Sequence, residues 1–442
     1  MLKRYSQSEM EFIWSELNKF LTWFRVETTV LGVRRDRGEF KYPVPPDMID
    51  KIVIDPREIN RLEKGWIERG VKKEGIGHDV IAFLMHVSPQ IPEGLRSWLH
   101  RGLTSYDIVD TALALQMRDS IDVITMGVGR LMGVLKRRAY EFKYTPEIGR
   151  THGIHAEPIT FGVKLANWYA ELVRHSWRLV QAREEVSVGK LSGAVGMYTI
   201  DPKIEELVCA RLGLKPIIAT QIISRDVAAV YMSTLANLAA SIGKISVNLR
   251  LLSQTEIREV MEPFGTTQKG SSAMPHKKNP VGSENISGLM RVPGVNYLVA
   301  LENLANCWHE RSLDNSGAER VIFADSSILV DYALARLTGI IENMRVFPNK
   351  MMRNLDVTKG LIFSQDVMML VAEKSNFPRE DAHTIVRSVA LKCWGDETDF
   401  FDALCEEAEV MAYVTRDELR ACFNLDAKLK NVDYIFNRVF GG

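Results

Sequence analysis

The chain lacks most of the features that announce a function on sight. Over 442 residues, Lys plus Arg and Asp plus Glu each number 56, so the formal net charge is zero. No global field recruits nucleic acid or an anionic membrane surface. An anionic ligand must therefore be met by local cationic clusters. No uninterrupted apolar run reaches the ~18 residues of a membrane span. The start, Met1-Leu2-Lys3-Arg4-Tyr5-Ser6-Gln7, has no apolar core of the kind a signal peptide carries. Cysteine is scarce: Cys209, Cys307, Cys393, Cys405 and Cys422 are scattered and form no C-x-x-C pair. That usage points to reduced structural thiols in a reducing cytoplasm. Glycine-rich nucleotide loops are missing too. No G-x-G-x-x-G follows a strand pattern, and no glycine stands at Walker spacing before Gly189-Lys190. We expect no redox cofactor and no nucleotide-hydrolysis loop.

Strand signals are equally sparse, limited to segments 40–46 and 189–198, which are short or rich in glycine. Helical periodicity dominates instead. Leu113, Met117, Ile121, Ile124, Val128, Leu131 and Leu135 recur at steps of three and four, as do Leu165, Trp168, Leu172, His175 and Leu179. The clearest stripe is Val227, Tyr231, Leu235, Leu238, Ile242, Ile245, Leu249 and Leu252. Near-heptad stripes of this kind belong to long helices packed at shallow angles. Helices of roughly 30 residues would be about 45 Å long. The expected fold is all-α: an elongated long-helix bundle over 105–352, with smaller helical domains at 1–104 and 353–442. Such a bundle can close within one chain or be shared between subunits; sharing is the expectation.

Into this helical pattern falls the run Gly270-Ser271-Ser272-Ala273-Met274-Pro275-His276-Lys277-Lys278-Asn279-Pro280. Its glycine, prolines and paired serines oppose a helix, and loops held between rigid elements tend to carry function. A second candidate is Gly149-Arg150-Thr151-His152-Gly153-Ile154-His155-Ala156-Glu157-Pro158. His152, His155 and Glu157 do not have the i,i+4 helical zinc spacing, and no third ligand is obvious. We expect no metal, and read histidine here as a proton carrier. A third is Gly102-Leu103-Thr104-Ser105-Tyr106-Asp107, where Thr104 and Asp107 have capping-box spacing. The helix N-terminus it implies also suits a carboxylate or phosphate. His78-Asp79, with His100 later, is a fourth. The fifth runs from Trp308-His309-Glu310-Arg311 to Ser316-Gly317-Ala318-Glu319-Arg320. It is either a solvated charged face or an arginine pair able to grip phosphate.

These segments share the order and spacing of one family. The 270–280 loop fills every fixed position of the signature Gly-Ser-x-x-Met-x-x-Lys-x-Asn-Pro of the fumarase/aspartase superfamily. Arg4-Tyr5, His78-Asp79-Val80, Leu103-Thr104-Ser105, Thr220-Gln221, the Thr-His-Gly-x-His-Ala-Glu-Pro run and Trp-His-Glu-Arg make the chain resemble the adenylosuccinate lyase branch over essentially its full length. The resemblance implies a trans β-elimination that releases fumarate. Its substrates would be adenylosuccinate, giving AMP, and succinyl-aminoimidazole-carboxamide ribotide (succinyl-AICAR), giving AICAR. It implies Ser271 as general base and His152 as general acid. Lys277 and Asn279 would steady the doubly charged aci-carboxylate, with Thr104 and Ser105 at the helix end. Choosing Ser271 over Ser272 follows the motif alone; Ser272 would contact substrate. Arg4, Tyr5, Arg311, Ser316 and Arg320 would hold phosphate and ribose. His78, Asp79 and Gln221 would meet the succinyl-purine region, Glu284 would support His152 or the loop, and His100 is kept as a further contact. The resemblance also implies a homotetramer with shared active sites.

The chain departs from the family pattern at Ile76-Gly77, Tyr106, Asn315 and Gly317. These positions bear on purine-side contacts, not on the acid, base or carboxylate anchors. Two other readings remain: a superfamily lyase for another succinyl-amine, and a non-catalytic helical scaffold like the lens crystallins. A scaffold would need none of His152, Ser271, Lys277 and Asn279.

Overall fold

The computed structural model describes residues 3–68, 71–265, 271 and 273–441. The fold is all-α, as the periodicity requires. Its long helices are Ser105–Glu141, Phe161–Val186, Asp226–Leu252 and Asp314–Asn343. Three of them carry the stripes read from sequence, and those stripes are buried: Ile121, Leu131, Leu165, Leu172, Leu179, Tyr231, Leu235, Ile242 and Ile245 have almost no exposure. At 37 residues, the Ser105–Glu141 helix runs about 55 Å at 1.5 Å per residue. The fourth, Asp314–Asn343, was hidden by its polar first turn. Its buried apolar face begins only at Ile322 and continues through Phe323, Val330, Leu334, Leu337 and Ile341.

The chain forms two compact units. The first comprises Met1–Gly129, Arg174–Gly243 and Ile286–Arg336; the second comprises Arg130–Val173, Lys244–Asn285 and Leu337–Gly442. In the first, the Glu16–Asp36 helix is capped by Ser15, whose Oγ accepts the Asn18 N–H at 3.1 Å. That helix buries Phe20, Trp23 and Phe24. Phe20 stacks on Phe83 with centroids 6.0 Å apart, and Trp23 meets both rings edge-on. In the second unit, the Ser364–Ser375 and Arg379–Asp396 helices close over Val367, Val371, Val386, Phe400 and Leu419.

Among the described residues, strands occur as four two-stranded ladders. Segment 40–46 forms no strand; Pro43, Pro45 and Pro46 have no N–H for a ladder. Of 189–198, only Gly189 pairs, at the end of Val188–Gly189 against Lys215–Pro216. The substantial ladder lies elsewhere, in the antiparallel hairpin Pro146–Thr151 with Ile154–Thr160.

Candidate active site

A cavity of about 1240 Å³ opens in the first unit, and His78, Asp79, Ser105, Arg311, Ser316 and Arg320 all stand on its wall. Two helix N-termini help to form it. His78 is the N-cap of the Asp79–Val87 helix, its Nδ1 accepting the Ile81 N–H at 3.4 Å. That leaves Nε2–H to face Ser105 Oγ, also at 3.4 Å. Ser105 opens the longest helix, so the positive ends of two helices bias the wall toward anions. Asp79 is ion-paired with Arg320 at 2.8 Å.

Behind this wall lies a buried polar frame. The Thr104 N–H donates to Asp107 Oδ2 at 2.8 Å, the side-chain-to-backbone half of a capping box. Asp107 Oδ1 accepts from Lys190 Nζ at 2.6 Å, and both side chains are fully buried. Lys190 also donates to the carbonyl of Gln221 at 2.8 Å. The Gln221 side chain in turn accepts from Arg311 Nη1 at 2.9 Å. Nearby, Arg225 forks between Asp110 and Glu319, again buried. Burial pushes the Glu319 carboxyl up, and Arg225 pulls against it.

The remaining first-unit candidates sit differently. His100 is turned to Glu27, its Nδ1 lying 2.6 Å from Oε1, and it is not among the cavity-lining residues. Burial works against its charge, but the Glu27 hydrogen bond and the negative charges of Glu27 and Asp107 together outweigh it and raise the imidazole above its ordinary 6.5. Tyr5 packs edge-on against Tyr332, with centroids 5.3 Å apart, and Arg4 is exposed beside it.

His152, Ser271, Lys277, Asn279 and Glu284 belong to the second unit. His152 and Gly153 form the two-residue tip of the hairpin, with φ of 55° and 82°. Positive φ at both positions is the type I′ geometry that matches strand twist. Glycine takes it freely; a histidine there is uncommon, though histidine is among the residues that tolerate it best. The tip is exposed. Its stem is anchored by Arg150, which grips Glu259 with two bonds of 2.7 and 2.9 Å. Burial opposes the charge on Glu259, but Arg150 and Asn354 hold its carboxyl below the usual range. Burial and then Arg150 push His155 down, so it stays neutral.

Glu259 immediately precedes the short strand Val260–Met261, which leads into the signature loop. At the neck of that loop, Glu262 accepts the N–H groups of Gly282 and Ser283 at 2.9 and 2.6 Å. It thereby caps the Val281–Leu289 helix that carries Glu284. Within the loop, Ser271 Oγ accepts the N–H groups of Ala273 and Met274 at 3.2 and 3.1 Å. The Lys277 N–H closes the following turn onto the Met274 carbonyl at 3.1 Å. The Lys277 side chain is exposed and Asn279 is half-buried. Ser272 lies outside the described residues.

Residues 58–294 match the family model described as Lyase, and residues 360–439 match that described as Adenylosuccinate lyase C-terminus. The adenylosuccinate lyase of Bacillus subtilis is 41% identical over 99% of both chains. That of Aquifex aeolicus is 42% identical over 100% of this chain and 99% of its own. The chain belongs to the adenylosuccinate lyase family. In fold it also resembles the fumarate lyase of Mesorhizobium sp. BNC1, with a TM-score of 0.86 at 24% identity over the whole of both chains. The family is one of carbon–nitrogen lyases.

Sequence reasoning missed the groups that hold these elements in place: Lys190 and Arg225 in the first unit, Glu259 and Glu262 in the second. Nothing local in the sequence marks Lys190 or Arg225 as half of a buried pair. Glu262 stands twenty residues before the first N–H it accepts, that of Gly282, too far for any capping signature. Asp107 was the one visible clue, through its spacing from Thr104.

Proposed function

We propose that the protein cleaves adenylosuccinate to AMP and fumarate, and succinyl-AICAR to AICAR and fumarate, by trans β-elimination. Ser271, as its alkoxide, takes the proton from the succinyl carbon next to the carboxylate. The electron pair left behind forms the fumarate double bond, and the carbon–nitrogen bond breaks. His152 protonates the departing nitrogen. Lys277 and Asn279, with Thr104 and Ser105, stabilise charge on the carboxylate as it develops. Arg4, Tyr5, Arg311, Ser316 and Arg320 bind phosphate and ribose. His78, Asp79, Gln221, His100 and Ser272 contact the rest of the substrate, and Glu284 supports the acid or the loop.

One observation supports Ser271 as the base that the motif implies. Serine is a weak base at its ordinary pKa, and two N–H groups aimed at Ser271 Oγ favour its charged form. The bundle stripes and the assignment of site residues to separate units support a homotetramer whose active sites draw on several subunits. Five free thiols support a cytoplasmic setting. No helix among the described residues is long and apolar enough to cross a membrane. We also propose the division into 1–104, 105–352 and 353–442; the separate buried cluster from Val367 to Leu419 supports its last part.

The test follows purified protein with adenylosuccinate by ultraviolet absorbance. AMP and fumarate in equal amounts are expected; no product rejects the reading. Replacing Ser271 with alanine lowers kcat by about 10²- to 10⁴-fold, the usual contribution of a positioned base. Unchanged turnover in Ser271→Ala removes this residue from the mechanism.

A further inference from the structure

Tyr106 stood out in the sequence only as a departure from the family pattern. In the structure it lines the cavity from the first turn of the Ser105–Glu141 helix and is 6% exposed. The Arg311 guanidinium lies over its ring, 3.8 Å from the centroid. Its hydroxyl stands beside Ser316, which lines the same cavity. Arg311 is held again by Gln221, and Gln221 by buried Lys190. Three groups assigned to substrate binding therefore converge on one phenol: two touch it directly and the third through Arg311. Arg311 Nε is buried and has no hydrogen-bond partner. A buried donor left that way is costly until a ligand accepts from it. Burial pushes the phenol above its ordinary value, against the pull of Ser316 and Arg311, so the ring is neutral at working pH.

We propose that Tyr106 is a positioning residue for anion recognition: its ring fixes the plane of Arg311 and its hydroxyl fixes Ser316, so both present donors to the substrate phosphate. The inference rests on the adenylosuccinate reading of this site and adds what sets the phosphate grip. A guanidinium on a flexible stem loses rotamer freedom when it binds an anion; one already stacked and bonded to Gln221 has lost most of it beforehand. The aromatic face attracts the cation through its quadrupole, while the fork edge stays available for a phosphate.

Two variants separate this role from simple core filling. Tyr106→Phe keeps the platform and loses the hydroxyl. Tyr106→Leu keeps apolar bulk and loses both. In Tyr106→Leu, KM for adenylosuccinate rises about 5- to 30-fold, the 1–2 kcal/mol of a desolvated cation–π contact at 1.4 kcal/mol per tenfold. In Tyr106→Phe the rise is smaller, about 2- to 10-fold, as for one hydrogen bond. In both, kcat changes by less than about threefold, the pattern of lost uniform binding. Equal KM values in all three proteins, or a loss confined to kcat, overturn the proposal, whatever the melting temperatures do. Calorimetry with AMP and with adenosine supplies a readout independent of turnover. The variants weaken AMP in the same order and leave adenosine alone. Equal weakening of adenosine, or a wild-type protein that does not bind AMP, also overturns it. A wild-type protein that binds AMP but leaves adenylosuccinate intact rejects the reaction, while the AMP series still decides the role of Tyr106.

Discussion

Lys190 and Asp107 are opposite charges with no solvent exposure, and Arg225 sits between Asp110 and Glu319 in nearly the same condition. Such pairs add little net stability over apolar residues of equal size, because desolvation offsets attraction. Their value here is geometric, since each has one end at a residue that leads to the cavity wall. His100 and Glu27 form a third pair with a testable sign. The folded-state pKa of His100 lies above 6.5. Its contribution to stability is therefore fully present below pH 6.5 and is lost as pH rises through the folded value. Thermal melts should show stability falling as pH climbs above 6.5, and Glu27→Gln should flatten that slope. A slope unchanged by the substitution would show that other groups cause it.

The hairpin and the signature loop share one design: a segment with a proposed catalytic residue on an anchored stem. His152 sits at a two-residue turn whose stem is pinned by the Arg150–Glu259 fork. Ser271 sits in a loop whose neck is closed by Glu262 on the Gly282 and Ser283 N–H groups. Anchoring the stem fixes where the tip emerges. Replacing Glu262 with alanine removes a helix cap that contributes about 1 kcal/mol. It also loosens the neck, so kcat should fall about tenfold, as reacting groups lose alignment. Steady-state kinetics with a circular-dichroism melt would check this. A drop in melting temperature with full kcat would reduce Glu262 to a cap alone.

For the whole molecule, the proposal of shared active sites makes a sharp demand. Arg311 and Ser271 lie in different units of the chain. If a site takes them from different subunits, Ser271→Ala and Arg311→Ala proteins, each impaired at low substrate concentration, should regain activity when denatured together and refolded. Random assembly of an equal mixture restores about a quarter of the sites. Sedimentation should show a tetramer. Recovery at background level would place both residues in one subunit's contribution and reject the sharing.

The all-α class, three of the four long helices and the family were legible in sequence, because each rests on local order. A buried stripe must recur every three to four residues, and a loop that handles a carboxylate must carry its own donors. The Asp314–Asn343 helix escaped because a polar first turn that faces a cavity reads like solvated surface. The hairpin under His152 escaped because the strand signals read from sequence lay elsewhere, at 40–46 and 189–198. What only tertiary structure decided is which charges face one another. Lys190 meets Asp107 across 83 residues, Arg225 meets Asp110 across 115, and Arg150 meets Glu259 across 109. Contacts at such separation leave no periodic trace, because the fold brings them together and each residue, taken singly, is an ordinary charge. The same holds for Tyr106. Its identity was plain from the start, but its meaning depended on Arg311 lying over its ring.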